Sequence, residues 1–261
     1  MGHLSAGAIR VCVAGATGWV GRPLCLAIQR SEDLQLAAAV ARRSGEPIGG
    51  IPLSPTVAGA LRVPSDVFVD FTQPDAVKSH VLLALAAKRH VVIGTSGLTD
   101  TDLAEIDAAA RAADTGVVAV GNFAMSAVLL QRFAVEAAKH LPSWEILDFA
   151  NDAKADAPSG TARELAWRLS QVSAPEIKIP IEGTVGARES RGTTLNGNQV
   201  HSVRLPGYTI GVDVRFGGTG ERLTLAYEGG VEAEPYIAGT LLAIRRVADV
   251  RGVVRGLDRF L

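Results

Sequence analysis

The run Ile9-Arg10-Val11-Cys12-Val13-Ala14, rich in β-branched residues, passes directly into Gly15-Ala16-Thr17-Gly18-Trp19-Val20-Gly21, and Leu24, Ala27 and Ile28 follow at helical spacing. A strand, a glycine turn and a helix in immediate succession leave few folds open. The glycines permit a tight turn and close backbone approach, and the first N–H groups of the helix point at whatever sits in the turn. That is how a dinucleotide pyrophosphate is cradled. Gly15, Thr17, Gly18, Trp19 and Val20 are therefore expected to line a nucleotide. A ligand-free βα turn has the same pattern, so the rest of the chain must decide.

A second apolar run, 36–40, ends in Ala41-Arg42-Arg43-Ser44. A site selecting NAD places an acidic side chain here for the ribose 2′-hydroxyl. Two arginines and a serine suit a 2′-phosphate instead, which makes NADPH the expected cofactor, with NADH possible. Residues 45–61, rich in Gly and Pro, read as loop. Strand patterns then fall at 67–71, 91–93 and 117–120, with helical periodicity at 75–87 and at 102–113, the latter capped by Thr99. This alternation predicts a Rossmann-type, doubly wound parallel sheet of the α/β class. Its ligand edge is the carboxyl ends of the strands, where Phe71-Thr72, Gly94-Thr95-Ser96 and Asn122-Phe123 would gather around the glycine turn.

An amphipathic helix at 127–140 leads into a second pattern. Strands are predicted at 144–149, 177–180, 200–205, 208–216 and 222–227, with hairpin signals at Pro206-Gly207 and 217–220 and one intervening helix at 162–172. A last helix, 235–248, is positioned to pack back on the first domain. The expected division is a dinucleotide-binding domain of residues 1–123 and 232–261, and a C-terminal α+β substrate-binding and oligomerisation domain, 124–231, built on an open mixed sheet. A net charge of −1, with no basic run longer than two arginines, argues against a nucleic-acid partner. No apolar run is long enough to span a bilayer and residues 1–7 make no signal peptide, so the cytoplasm is the expected compartment. Cys12 and Cys25 fall in apolar segments and read as buried hydrophobes, and no His/Cys/Asp spacing suggests a metal.

Between the 144–149 strand and the 162–172 helix lies Lys154-Ala155-Asp156-Ala157-Pro158-Ser159-Gly160-Thr161. Ser159, Gly160 and Thr161 occupy the turn that feeds a helix N-terminus, where unpaired N–H groups and the dipole hold an anion such as a carboxylate. Lys154 supplies a mobile cation able to bind that anion or give up a proton. An ordinary helix cap beside a surface lysine is the bland alternative.

Taken together, these segments resemble the 4-hydroxy-tetrahydrodipicolinate (dihydrodipicolinate) reductase family, NAD(P)H-dependent imine reductases of bacterial lysine synthesis. The likeness covers nearly the whole chain through the glycine turn, Asp70-Phe71-Thr72-Gln73-Pro74, the 92–97 segment, Asn122-Phe123, the 154–161 octapeptide, and His201-Ser202-Val203-Arg204 followed by Gly220-Glu221. It implies that Lys154 is the general acid, that Ser159, Gly160 and Thr161 hold a substrate carboxylate, and that the chain assembles as a homotetramer through the β-rich domain. The chain also departs from the family pattern. A Glu-x-His-His run normally precedes the lysine; here it is Asp148-Phe149-Ala150-Asn151, which puts Ala150 and Asn151 at the substrate in place of imidazoles. A further histidine is replaced near Gly211, and Trp19 stands where the glycine loop usually carries a basic residue.

The reading is an NADPH-dependent reductase of a C=N bond in a small carboxylated substrate, with altered substrate choice following from the lost histidines. An authentic lysine-pathway reductase and a catalytically silent NADPH-binding homologue are the alternatives. An extended short-chain dehydrogenase shares the glycine loop but needs Tyr-x-x-x-Lys; four residues after Tyr208, Tyr227 and Tyr236 stand Val212, Val231 and Thr240. His3, His80, His90 and His140 are expected in a tail or at solvated helix ends and turns, while His201 opens a strand and is placed among substrate-lining residues.

Overall fold

The structure is a computed structural model that describes residues 7–43 and 45–261; His3 and Ser44 lie outside the described residues. Packing divides the chain into two compact units, Met1–Phe123 with Ala233–Leu261, and Ala124–Glu232.

The first unit opens with β1 (Ile9–Ala14), buried over its last four residues, and α1 (Gly21–Arg30), which turns Leu24, Cys25 and Ile28 inward. β2 (Leu34–Val40) starts earlier than its apolar run suggests, because buried Leu34 pairs with Ile9. The 45–61 segment is not all loop. It holds a two-residue strand, β3 (Leu53–Ser54), and a one-turn helix, α2 (Val57–Ala60), capped by the Thr56 hydroxyl accepting from Gly59 N at 3.1 Å. Elements this short show no periodicity among glycines and prolines. Then come β4 (Val67–Asp70), α3 (Val77–Ala86), β5 (His90–Ile93), α4 (Asp100–Ala112) and β6 (Gly116–Ala119). Thr99 and Asp102 form a reciprocal capping box that starts α4.

The second unit comprises α5 (Met125–Ala138), β7 (Ser143–Ala150), α6 (Gly160–Ser170), β8 (Thr193–Leu195), β9 (Asn198–Arg204), β10 (Ile210–Gly218) and β11 (Glu221–Gly229). Its sheet order is β11-β10-β7-β9-β8. Trp144, Ile146, Asp148 and Ala150 alternate onto the buried face of β7, where α5 and α6 pack. Two expectations fail here. The 177–180 run forms no strand: Pro175 and Pro180 bracket it, and Ile179, 59% exposed, finds no buried face. Pro206-Gly207 is a turn but not a hairpin, because β7 lies between β9 and β10, parallel to the first and antiparallel to the second. Neighbours in a sheet follow from which pairing buries the apolar face, and local turn chemistry does not decide them. The second hairpin does form, with Gly218 paired to Glu221 across Thr219-Gly220.

The chain then returns to the first unit with α7 (Glu234–Arg246) and β12 (Gly252–Arg255), a four-residue edge strand that the sequence reading missed. The first unit's sheet runs β12-β6-β5-β4-β1-β2-β3, and every pairing is parallel. Ala14 pairs with Val40 and Asp70, Asp70 with Ile93, and Ile93 with Ala119. The turns that follow these residues therefore leave the sheet in one row. Among the described residues no helix is long and apolar enough to cross a membrane.

Candidate functional site

The glycine turn meets the steric demands of a pyrophosphate cradle. Gly15 has φ +81°, and a Cβ there would collide with the Phe71 carbonyl oxygen; one at Gly21 would collide with the Gly15 carbonyl. Gly18 N donates to Gly15 O at 2.8 Å, closing the turn. α1 then starts with neither a side-chain cap nor an acidic residue in its first turn. Among the described residues, neither its cap nor its first turn thus offers the leading N–H groups an anion, the condition under which a helix N-terminus accepts phosphate. A cavity of about 860 Å³ opens beside the turn, lined by Gly15, Thr17, Gly18, Arg42 and Arg43, with Phe71 and Thr72 across from them. Trp19 is not part of that lining. It is 53% exposed, and its ring meets Tyr236 edge-on at 5.3 Å; Val20 serves as the N-cap of α1.

The remaining predicted nucleotide residues collect around Phe71. A Cβ at Gly94 would strike its ring, and the Phe123 ring lies 5.5 Å away. Thr95 Oγ1 accepts from Thr72 N at 2.7 Å, which joins the turns after β4 and β5; Ser96 follows, and Asn122 is buried before Phe123. The residue that holds this cluster was overlooked. Asp70, fully buried at the end of β4, accepts at Oδ1 from Thr72 N (2.9 Å), Thr72 Oγ1 (2.6 Å) and Thr95 Oγ1 (2.6 Å). Its Oδ2 takes His80 Nδ1 at 2.9 Å. His80 is therefore not solvated at a helix end, because α3 carries it back over β4. An acidic residue closing an otherwise apolar strand is the signal that pointed here. His90 is also engaged: its Nδ1 accepts from Gly116 N at 2.9 Å, and burial holds its pKa below the ordinary imidazole value. His140 is exposed. Burial pushes the Cys12 and Cys25 thiols up to about 12, so neither is a nucleophile.

In the second unit the 159–161 turn is built on Asp148. This carboxylate is fully buried, and its Oδ2 accepts from Ser159 N (2.9 Å), Ser202 Oγ (3.0 Å) and Arg204 Nη2 (2.9 Å). Ser202 and Arg204 alternate onto the same face of β9, and their register partners are Asp148 and Ala150. The Ser159 N–H is thus already spent, and its hydroxyl caps α6 by accepting from Ala162 N at 3.3 Å. Gly160 is half-buried and Thr161 fully buried at the start of α6. Arg204 Nη2 also donates to the Asp156 carbonyl at 2.7 Å, pinning the loop that carries Lys154, whose Nζ lies 2.6 Å from Asp156 Oδ1. Ala150 is buried between Arg204 and Ile210 in the register, and Asn151 turns its side chain to its own loop, accepting from Ala153 N at 3.0 Å. His201 stands apart. It pairs with Leu147 and bonds Glu145 Oε2 at 2.8 Å, on the opposite sheet face from Asp148, so strand alternation removes it from the Ser159 turn. Asp148, Asp156 and Arg204 are the residues sequence reasoning missed here, although Arg204 lay two residues beyond Ser202 in a quoted motif.

A doubly wound sheet with a glycine turn leading into α1, joined in one chain to an α+β unit that carries Lys154 ahead of the Ser159–Thr161 turn, is an architecture of nicotinamide-nucleotide-dependent oxidoreductases. The family models "Dihydrodipicolinate reductase, N-terminus" and "Dihydrodipicolinate reductase, C-terminus" match residues 9–123 and 126–261. The chain is 38% identical to 4-hydroxy-tetrahydrodipicolinate reductase of Desulfitobacterium hafniense over 97% of this chain and 98% of that protein, and 37% identical to that of Moorella thermoacetica with the same coverage. Dipicolinate-bound dihydrodipicolinate reductase from Paenisporosarcina sp. TG-14 superposes with a TM-score of 0.77 at 29% identity, covering 97% of this chain and all of the other. The chain belongs to the dihydrodipicolinate reductase family and is an NAD(P)H-dependent oxidoreductase.

Proposed function

We propose that this chain reduces the C=N bond of a small carboxylated imine of the 4-hydroxy-tetrahydrodipicolinate kind, in the cytoplasm and with NADPH preferred over NADH. The observation that carries this reading is the 154–161 loop. It joins a cation to a helix N-terminus and is tied down by Asp148 and Arg204. The cofactor supplies the hydride. Gly15, Thr17 and Gly18 would hold the pyrophosphate, and Arg42 and Arg43 would hold the 2′-phosphate. Gly160 and Thr161 orient the substrate by one carboxylate. Lys154 Nζ, released from Asp156, gives its proton to the nitrogen that gains electrons. In this scheme the second unit binds substrate and carries the contacts of a homotetramer.

Ala150 and Asn151 favour a substrate choice shifted from that of histidine-bearing relatives. Methyl and amide groups neither donate like an imidazolium nor fill its volume, so the far end of the substrate would meet a smaller and uncharged wall there. The test is purified protein with NADPH and, in turn, 4-hydroxy-tetrahydrodipicolinate and smaller or larger carboxylated cyclic imines, followed by loss of NADPH absorbance. Turnover of an imine in this set is the expected result, with the highest kcat/KM on one other than 4-hydroxy-tetrahydrodipicolinate. Turnover best on 4-hydroxy-tetrahydrodipicolinate itself removes the altered-substrate reading, and turnover of none removes the imine-reductase reading.

A further inference from the structure

The phosphate turn and the two arginines leave the Asp70–His80 pair unexplained. Asp70 Oδ1 is taken by three donors, and its Oδ2 holds His80 Nδ1 at 2.9 Å. A carboxylate bonded to one ring nitrogen fixes the imidazole and aims the other nitrogen outward. His80 is itself part of the cavity wall that includes Arg42 and Arg43, with its side chain 23% exposed. Asp70 of β4 holds the ring from behind, and among the described residues the charged groups that line the cavity with His80 are Arg42 and Arg43 after β2 and Asp75 ahead of α3; the α2 side contributes Thr56 and Val57, which do not titrate.

We propose that His80 is a specificity-determining residue for the phosphorylated nucleotide: its Nε2, steadied from behind by Asp70, meets the 2′-phosphate together with Arg42 and Arg43. The inference rests on the NADPH preference proposed above. A phosphate oxygen at that position is met by an N–H on Nε2, while Nδ1 stays on Asp70 Oδ2.

Isothermal titration of 2′,5′-ADP and of 5′-AMP tests this on the full chain and its His80→Gln variant. The wild type is expected to prefer 2′,5′-ADP. His80→Gln is expected to lose roughly tenfold in 2′,5′-ADP affinity, the worth of one charge-assisted hydrogen bond, with 5′-AMP affinity kept. An unchanged 2′,5′-ADP affinity overturns the inference, as does an equal loss for both nucleotides, which indicates packing. A wild type that does not distinguish the two nucleotides refutes the NADPH preference itself, and the inference with it. If His80→Gln does not fold, NMR of the wild-type His80 ring decides: a shift with 2′,5′-ADP and not with 5′-AMP supports the assignment, and no difference refutes it.

Discussion

Replacing Asp148 by alanine strips the α6 turn of the charged acceptor at Oδ2 and leaves three donors behind. The Ser159 N–H and the Ser202 hydroxyl are neutral and cost about 1 kcal/mol each when orphaned in a buried site. The Arg204 guanidinium, 17% exposed, loses a charge-assisted bond of roughly 1.5–3 kcal/mol but keeps the Asp156 carbonyl on the same nitrogen. Asp148→Ala should therefore destabilise the second unit by about 3–5 kcal/mol, the range for breaking one side of a buried pair. Arg204→Ala removes the cation and leaves the carboxylate with its two neutral donors, so it should cost nearly as much. The double variant leaves no unpaired charge. Its cost should fall short of the sum by roughly 2 kcal/mol, an interaction energy within the range for residues in direct contact. Urea unfolding reports this through Trp144, whose indole donates to Asn198 at 2.7 Å in the same unit's core. Single-variant losses under about 1 kcal/mol, or strict additivity, would refute the reasoning, since a fully buried carboxylate with three donors cannot be a bystander.

Two further outcomes follow from the first unit. Gly15→Ala places a Cβ against the Phe71 carbonyl at φ +81° and should cost over about 2 kcal/mol and abolish nucleotide binding, whereas Gly50→Ala, at φ +80° with open space around it, should cost only about 1 kcal/mol; thermal unfolding with and without NADPH separates them. His90 has its folded pKa lowered by burial, so above the ordinary imidazole value of about 6.5 neither state is protonated and its contribution is intact. As pH falls below that value the unfolded chain takes up a proton that the folded chain refuses, and stability is lost down to the lower folded pKa. The urea midpoint should drop across that window in the wild type and drop less in His90→Asn; equal slopes would show that His90 is not the titrating group.

How much was legible in the sequence depended on whether a signal was local. β1, the glycine turn and α1 were readable because one steric requirement at Gly15 and one buried stripe of α1 lie within a few residues of each other. The Thr99 cap was readable for the same reason. The order of strands in the second unit was not, because the partnership of β7 with both β9 and β10 is decided by which faces bury, and Pro206-Gly207 carries a correct local signal for a reversal that links non-neighbours. The site showed the same division. Lys154 and the 159–161 turn stood out as a contiguous motif, while Asp148 and Arg204, 56 positions apart, meet only through strand register. Likewise Asp70 and His80 sit ten positions apart and join only because α3 folds back over β4. His201 misled for a simpler reason: it shares a strand with Ser202 and Arg204 but points the other way.

The most direct measurement of the central claim is single-turnover reduction of a turned-over imine by wild type and Lys154→Ala, with NADPH affinity measured in parallel. If Lys154 provides the proton, the chemical step should slow by about a hundredfold or more while NADPH affinity holds. A rate within about threefold of wild type, too small for the loss of a general acid, would contradict the account.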